Sequence, residues 1–246
     1  AVMRAAADSL KAVTLELGGK SPLIVFDDAD LDNAVSGALL GNFYTQGQVC
    51  TNGTRVFVHE SVKDAFVEKL LARTGKMVLG DPLDPETHVG PLISEGHMRH
   101  VLDYIEKGKQ EGGSVLIGGE RARVAGFENG NFVSPTVFDD LNDDMTIVRE
   151  EIFGPVLVML PYKDVDDAVA IANDSDYGLS GYVYGASEED AAKVAARLRT
   201  GMVHLNGAQL DPPAPFGGYK HSGVGREWGV YGLEEVLEVK SVFYSA

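Results

Sequence analysis

The sequence predicts an α/β fold: a mainly parallel sheet with helices on both faces. Three observations lead there. Short apolar or β-branched runs alternate with helical patterns along most of the chain, the rhythm of consecutive βαβ units. The run Pro22-Leu23-Ile24-Val25-Phe26 is apolar throughout, as a strand covered on both faces must be. With 246 residues and 44% hydrophobic content, the chain can also bury a core large enough for two layers of helices.

In chain order, residues 5–13 read as the end of a helix, rich in alanine with polar Asp8, Ser9 and Lys11. Residues 14–17 are partly β-branched and enter a strand. Gly18-Gly19-Lys20-Ser21 then breaks the chain. It mimics the tail of a phosphate-binding loop, but that motif's first glycine would fall on Thr14, which excludes the reading. Residues 22–26 form the buried strand. Asp30 caps a helix over 30–44, whose Leu31, Val35, Leu39 and Phe43 recur every four residues. A loop around Cys50 follows, then a strand at 55–58. Ser61 is placed to cap a second helix with Phe66, Leu70 and Leu71 on its apolar stripe. Residues 80–85 carry turn chemistry. A third helix spans 94–111. Its His97 and His100 share one face, but no Cys or carboxylate joins them, so they read as solvent-facing and no metal site is expected.

Strands at 115–117, 132–138 and 156–160 come next, the last two bracketing Arg149-Glu150-Glu151-Ile152-Phe153-Gly154-Pro155. Helix 165–173, strand 182–184, helix 188–198 and strand 202–205 continue the alternation. Residues 207–226 break it, an irregular stretch with prolines and glycines whose length marks it as functional. Residues 238–244 alternate polar and apolar like an exposed strand. No repeat or low-complexity tract appears, and no linker cleanly divides the chain after the first twenty residues.

Charge and cysteine content exclude several classes. A net charge of −16, from 37 acids against 21 bases, opposes nucleic acid or an anionic membrane surface as the main partner. No apolar run reaches the roughly 18 residues that a membrane span needs. A single cysteine permits no internal disulfide and fits a reducing compartment, hence a cytoplasmic expectation. The start, Ala1-Val2-Met3-Arg4, has neither an initiator Met nor a signal peptide and reads as an interior cut.

That single cysteine is the focus of the chain. Cys50 lies in Gly47-Gln48-Val49-Cys50-Thr51-Asn52-Gly53-Thr54, on a glycine-flanked turn between a helix and a strand. Such a thiol is presented rather than packed, and its own N–H can face the same space as the sulfur. The competing reading is a small buried hydrophobe, as free Cys often is.

Four stretches carry a family resemblance: Leu15-Glu16-Leu17-Gly18-Gly19-Lys20-Ser21-Pro22, Phe43 through Cys50 to Thr54, Glu150-Glu151-Ile152-Phe153-Gly154-Pro155, and Pro215-Phe216-Gly217-Gly218-Tyr219-Lys220. In that order they resemble the NAD(P)-dependent aldehyde dehydrogenase superfamily, and the resemblance covers essentially the whole chain. It implies Cys50 as nucleophile, with its N–H donating to the oxyanion, and Glu16 as the base that activates water. It implies Leu17, Glu151 and Phe153 as cofactor-binding residues for NAD or NADP, with Glu151 on the nicotinamide ribose and Phe153 near the ring. It also implies Glu227 as a second acid relaying protons, although an acid at a helix start is equally well placed against the dipole. Phe216 would stand at the substrate funnel, against the alternative of a core phenylalanine.

The resemblance further implies that residues 1–17 are the tail of a nucleotide-binding domain, 18–237 the catalytic domain and 238–246 an oligomerisation strand. It implies a small-molecule aldehyde as substrate and a homo-oligomer, a dimer or tetramer. The family's upstream glycine-rich turn and its oxyanion asparagine are not in these residues. Gly223-Val224-Gly225-Arg226-Glu227-Trp228 does not replace that turn, because it follows no strand and its third glycine falls at Gly229. The chain alone is therefore not expected to be a competent dehydrogenase. Residues 50–58 and 145–149 look most like betaine aldehyde dehydrogenases. Yet His204-Leu205-Asn206-Gly207-Ala208-Gln209 lacks the tryptophan that subgroup carries just after its asparagine, so a general aldehyde dehydrogenase is preferred and betaine aldehyde is the alternative. Two other readings stand beside these: a non-catalytic structural use of the scaffold, and a cysteine hydrolase, for which no His near Cys50 in sequence offers a partner.

Overall fold

The computed structural model describes residues 1–245. A short helix α1 (Val2–Ala7) leads to strands β1 (Leu15–Glu16) and β2 (Pro22–Val25), helix α2 (Leu31–Phe43), strand β3 (Arg55–His59), helices α3 (Lys63–Thr74) and α4 (Glu95–Gln110), and strands β4 (Ser114–Ile117) and β5 (Thr136–Asp139). Then come helix α5 (Thr146–Arg149), strand β6 (Val156–Tyr162), helix α6 (Val165–Asn173), strand β7 (Tyr182–Tyr184), helix α7 (Glu188–Ala195), strands β8 (His204–Leu205) and β9 (Gly223–Val224), and helix α8 (Gly229–Glu234).

Seven strands form one sheet in the order β4-β5-β6-β3-β2-β7-β8. Every neighbouring pair is parallel except β4 with β5 at the edge. The apolar strands bury alternate residues in two cores. Leu23 and Val25 of β2, Val56 and Val58 of β3, and Leu157 and Met159 of β6 pack with Val35 and Leu39 of α2 and Phe66 and Leu70 of α3. Ile24, Phe57, Val158 and Leu160 face the other way, onto Met98, Val101 and Ile105 of α4, Val169 of α6 and Val194 of α7. The period-two alternation of a strand divides each apolar run between the two faces. The fold class is the one the sequence predicts.

Local chemistry explains most of the elements. Asp30 accepts from the Asp32 and Asn33 N–H groups, capping α2. Ser94 and Asp164 cap α4 and α6 in the same way. Four expectations need correction. Ser61 caps no helix: it sits inside a 3-10 turn, where its N–H donates to His59 Nδ1, and α3 starts at Lys63 without a side-chain cap. The helix expected over 5–13 ends at Ala7, and Leu10 is left-handed at φ 51°. The strand expected over 132–138 is regular only from Thr136, because Val133 meets Arg121 in a lone bridge outside the sheet. Residues 238–244 form no strand, having no hydrogen-bonded partner strand, and Val239, Phe243 and Tyr244 are almost fully exposed. No helix among the described residues is long and apolar enough to cross a membrane.

Candidate active site

Three adjacent parallel strands begin where three of the sequence motifs end. Residues 16–21 run into β2, residues 50–54 into β3 and residues 151–155 into β6. Segments more than a hundred residues apart therefore meet at the amino ends of the sheet. Open α/β sheets more often bind ligands at the opposite, carboxyl ends.

The Cys50 loop is held in a demanding backbone. Beyond α2, Thr45 (φ 49°), Gln46 (φ 56°) and Gly47 (φ 72°) are consecutively left-handed. This conformation costs a non-glycine residue about 1–2 kcal/mol. Cross-ties hold the loop against that strain. Asn42 donates to the Ala38 and Gly53 carbonyls at 2.8 and 3.1 Å, Gln48 Oε1 accepts from the Ile93 N–H at 3.1 Å, and the Tyr182 hydroxyl donates to the Thr51 carbonyl at 2.9 Å. The two flanking glycines differ. A methyl on Gly47 would lie 2.1 Å from the Gly154 carbonyl oxygen, on a backbone that already favours glycine. Gly53 is not left-handed; there a methyl would press on the Tyr182 ring at 3.0 Å, so close approach rather than a turn requires it.

Cys50 is half-buried. Burial raises the thiol pKa above its ordinary value, and the charges of Glu151 and Glu16 raise it further. The backbone N–H groups of Cys50 and Thr51 oppose this by hydrogen bonding to the sulfur, but do not prevail.

Glu16 lies in the short ladder of β1 with β9, opposite Gly223. Both carboxyl oxygens are sealed from solvent and have no hydrogen-bond partner among the described residues. Burial, then the charge of Glu227, raise its pKa, while Arg226 pulls it down. Glu151 is reached from β2's side: Gly19 N–H donates to Oε1 at 2.9 Å, and a methyl on Gly18 would fall 1.8 Å from Oε2. Burial raises the Glu151 carboxyl as well, against the Gly19 N–H and the Lys20 charge. Phe153 follows two residues later with a left-handed backbone (φ 58°) and is 38% exposed.

A cavity of about 390 Å³ is lined by Glu16, Leu17, Gly18, Cys50, Glu151 and Phe153. It unites most of the residues the sequence marks. Glu227 and Phe216 are not part of its lining. They pair with each other through two backbone hydrogen bonds of 2.7 Å, and Phe216 packs on Trp228 with ring centroids 5.0 Å apart. Glu227 precedes α8 instead of starting it, and it reaches Glu16 only through its charge. On the other flank of the cysteine loop lies a second cavity of about 450 Å³, bordered by Tyr44, Val49, Thr51, Tyr182, Tyr184 and His204 among others. No group of three or more His, Cys, Asp or Glu among the described residues could hold a metal ion.

Sequence reasoning missed two buried cations beneath the site. Lys20 is wholly buried, its Nζ has no hydrogen-bond partner among the described residues, and burial together with Arg55 brings its pKa down to about 7. Arg55 is held down to about 10, chiefly by burial. It donates to the Lys20 carbonyl at 2.9 Å and to the Ala172 and Ile171 carbonyls at the end of α6 at 2.8 and 3.3 Å. A basic residue opening an otherwise apolar strand was the available signal for Arg55. Nothing local marks Lys20.

Comparison with known proteins identifies the family. The model of the aldehyde dehydrogenase family matches residues 1–242. The betaine aldehyde dehydrogenase of Brucella anthropi is 49% identical over 243 residues, which are 98% of this chain and 50% of that protein. The NAD+ complex of an aldehyde dehydrogenase from Bacillus cereus matches with a TM-score of 0.94 and 48% identity, covering 98% of this chain and 48% of that one. The betaine aldehyde dehydrogenase of Staphylococcus aureus in complex with NAD+ matches with a TM-score of 0.93 and 42% identity, covering 95% of this chain and 47% of that one. The chain thus spans about half the length of the relatives it matches. Its motifs, its sheet and its matched residues agree: the chain belongs to the aldehyde dehydrogenase family.

Proposed function

We propose that this chain is the thiol-bearing half of an enzyme that oxidises an aldehyde to a carboxylic acid with NAD or NADP. The observation that carries the reading is one cavity walled by Cys50, Glu16 and Glu151. The residues fit one end of the cofactor. Gly18 leaves room for the Glu151 carboxylate, Gly19 holds one of its oxygens, and Phe153 offers a ring at the cavity wall. Glu151 would take the hydroxyls of the nicotinamide ribose, and Leu17 and Phe153 would flank the ring. When bound, the cofactor supplies the hydride acceptor.

Cys50 Sγ loses its proton to solvent water and attacks the aldehyde carbon as thiolate. A C–S bond forms, and the C=O π pair moves onto oxygen, where the Cys50 backbone N–H can donate to it. With the cofactor bound as hydride acceptor, the oxygen pair would re-form C=O and leave a thioester on Cys50. Glu16 takes a proton from water, water oxygen bonds to the acyl carbon, and the thiolate departs with the acid released. A carboxylate whose pKa is raised by burial suits that last role better than an ordinary one. Glu227 raises the Glu16 pKa through its charge, but no hydrogen bond joins the two carboxylates among the described residues.

The test is Glu16→Gln in the full-length enzyme. Thioester hydrolysis is expected to slow by about 10²–10⁴-fold while the first turnover still releases NADH as a burst. Loss of the burst would assign Glu16 to thiol activation or folding. Betaine aldehyde is the second reading, favoured by the names of the relatives and by Tyr44, Tyr182 and Tyr184 around the second cavity, since aromatic faces attract quaternary ammonium. Comparing kcat/KM for betaine aldehyde and its uncharged carbon isostere decides between the two. The exposed residues 238–245 are proposed to pair with a second copy of the chain.

A further inference from the structure

The two histidines of α4 lie against the loop that carries Glu151 and Phe153. His97 and His100 stack with ring centroids 5.6 Å apart, and Tyr104, one turn on, meets His100 edge-on at 4.9 Å. Both ends of this ladder grip the loop. His97 Nε2 is 2.6 Å from the Phe153 carbonyl oxygen. A carbonyl can only accept, so Nε2 bears the proton and donates. The His97 ring also meets the Phe153 ring, with centroids 6.1 Å apart. At the other end the Tyr104 hydroxyl donates to Glu150 Oε2 at 2.6 Å. Between the two anchors lie only Glu151 and Ile152, and the Ile152 side chain is buried in the core.

The residue held by its carbonyl is the one whose backbone is left-handed, φ 58°, a region a phenylalanine enters only under outside constraint. We infer that His97 is a positioning residue for the cofactor. Its Nε2–H fixes the Phe153 carbonyl, and thereby the left-handed turn that places the Phe153 ring and the Glu151 carboxylate in one cavity. The inference rests on the reading of Glu151 and Phe153 as cofactor ligands. It accounts for the paired histidines without a metal: they form the edge of a stack whose first member ends in a hydrogen bond to the loop.

The experiment is calorimetric titration of NAD into the full-length enzyme and its His97→Leu and His97→Gln variants, with KM measured for NAD and for aldehyde. His97→Leu is expected to weaken NAD binding about tenfold, the loss of one hydrogen bond that orders the ligand loop. The KM for NAD follows and rises by more than the KM for aldehyde, because Glu151 and Phe153 are read as contacts of the cofactor. His97→Gln, whose amide N–H can reach the same carbonyl, restores most of the affinity. Should His97→Leu fail to fold, His97→Asn, too short to reach, takes its place. Unchanged NAD affinity in the Leu or Asn variant, or a Gln variant as weak as Leu, would overturn the inference while leaving the function intact. A wild-type enzyme that binds neither NAD nor NADP would overturn the function and this inference with it.

Discussion

At Cys50, two backbone N–H groups favour the thiolate, while burial and the charges of Glu151 and Glu16 favour the thiol and win. The alkylation rate with iodoacetamide should therefore keep rising with pH to a midpoint above the about 8.5 of an ordinary thiol, and Glu151→Gln should lower that midpoint. A thiol inert until denaturation would be structural. Glu16 carries a related penalty. Its pKa in the fold lies above the ordinary 4.5, so the folded state disfavours its charge. Below the unfolded value the penalty is absent; it grows as pH rises and is complete above the folded value. Glu16→Gln should accordingly raise Tm by about 1–3 °C at pH 7.5 and leave it unchanged near pH 4, as read by calorimetry. Cys50, Glu16 and Glu151 were legible in the sequence because each lies inside a contiguous motif. The roles of Arg55, Tyr182 and His97 were not, because what defines them is a partner far along the chain: Ala172 for Arg55, 117 residues away, and Thr51 for Tyr182, 131 away.

Elements were legible where local chemistry decides them. α6 and β7 occupy 165–173 and 182–184, the ranges their patterns predict, and α2 starts after the Asp30 cap its sequence announces. Elements set by a distant partner were not. β1 is two residues long because β9 is, and residues 238–244 have the pattern of a strand but no neighbour to make them one. The cysteine loop offers a comparison between two glycines of neighbouring sequence. Gly47→Ala puts a methyl against Gly154 on a left-handed backbone and should destabilise by more than about 1 kcal/mol in urea unfolding. Gly41→Ala lies within α2, where a methyl meets Gly53 N at 3.5 Å and Gly53 Cα at 4.0 Å, both ordinary contacts, and should stabilise by about 0.5–1 kcal/mol. Equal effects would mean that the loop backbone is not as constrained as its dihedral angles indicate.

The molecule as a whole places its Cys50 cavity at the amino ends of β2, β3 and β6 and leaves an apolar tail uncovered, with Val236, Leu237, Val239, Val242, Phe243 and Tyr244 all exposed. Unpaired extended chain of this kind recruits another strand. Light scattering should detect a dimer or larger, and truncation from Lys240 onward should shift it toward monomer; a monodisperse monomer before truncation would refute the pairing. The arrangement of the cavity has a further consequence, in time. Gly19 and Glu151 are joined across 132 residues. On a ribosome adding roughly 5–20 residues per second, Cys50 is added roughly 5–20 s before Glu151 exists to wall it in. During that interval neither burial nor the carboxylate of Glu151 holds the thiol back. The nascent chain is therefore expected to bear a more ionised cysteine than the finished fold, where burial and Glu151 raise the thiol pKa.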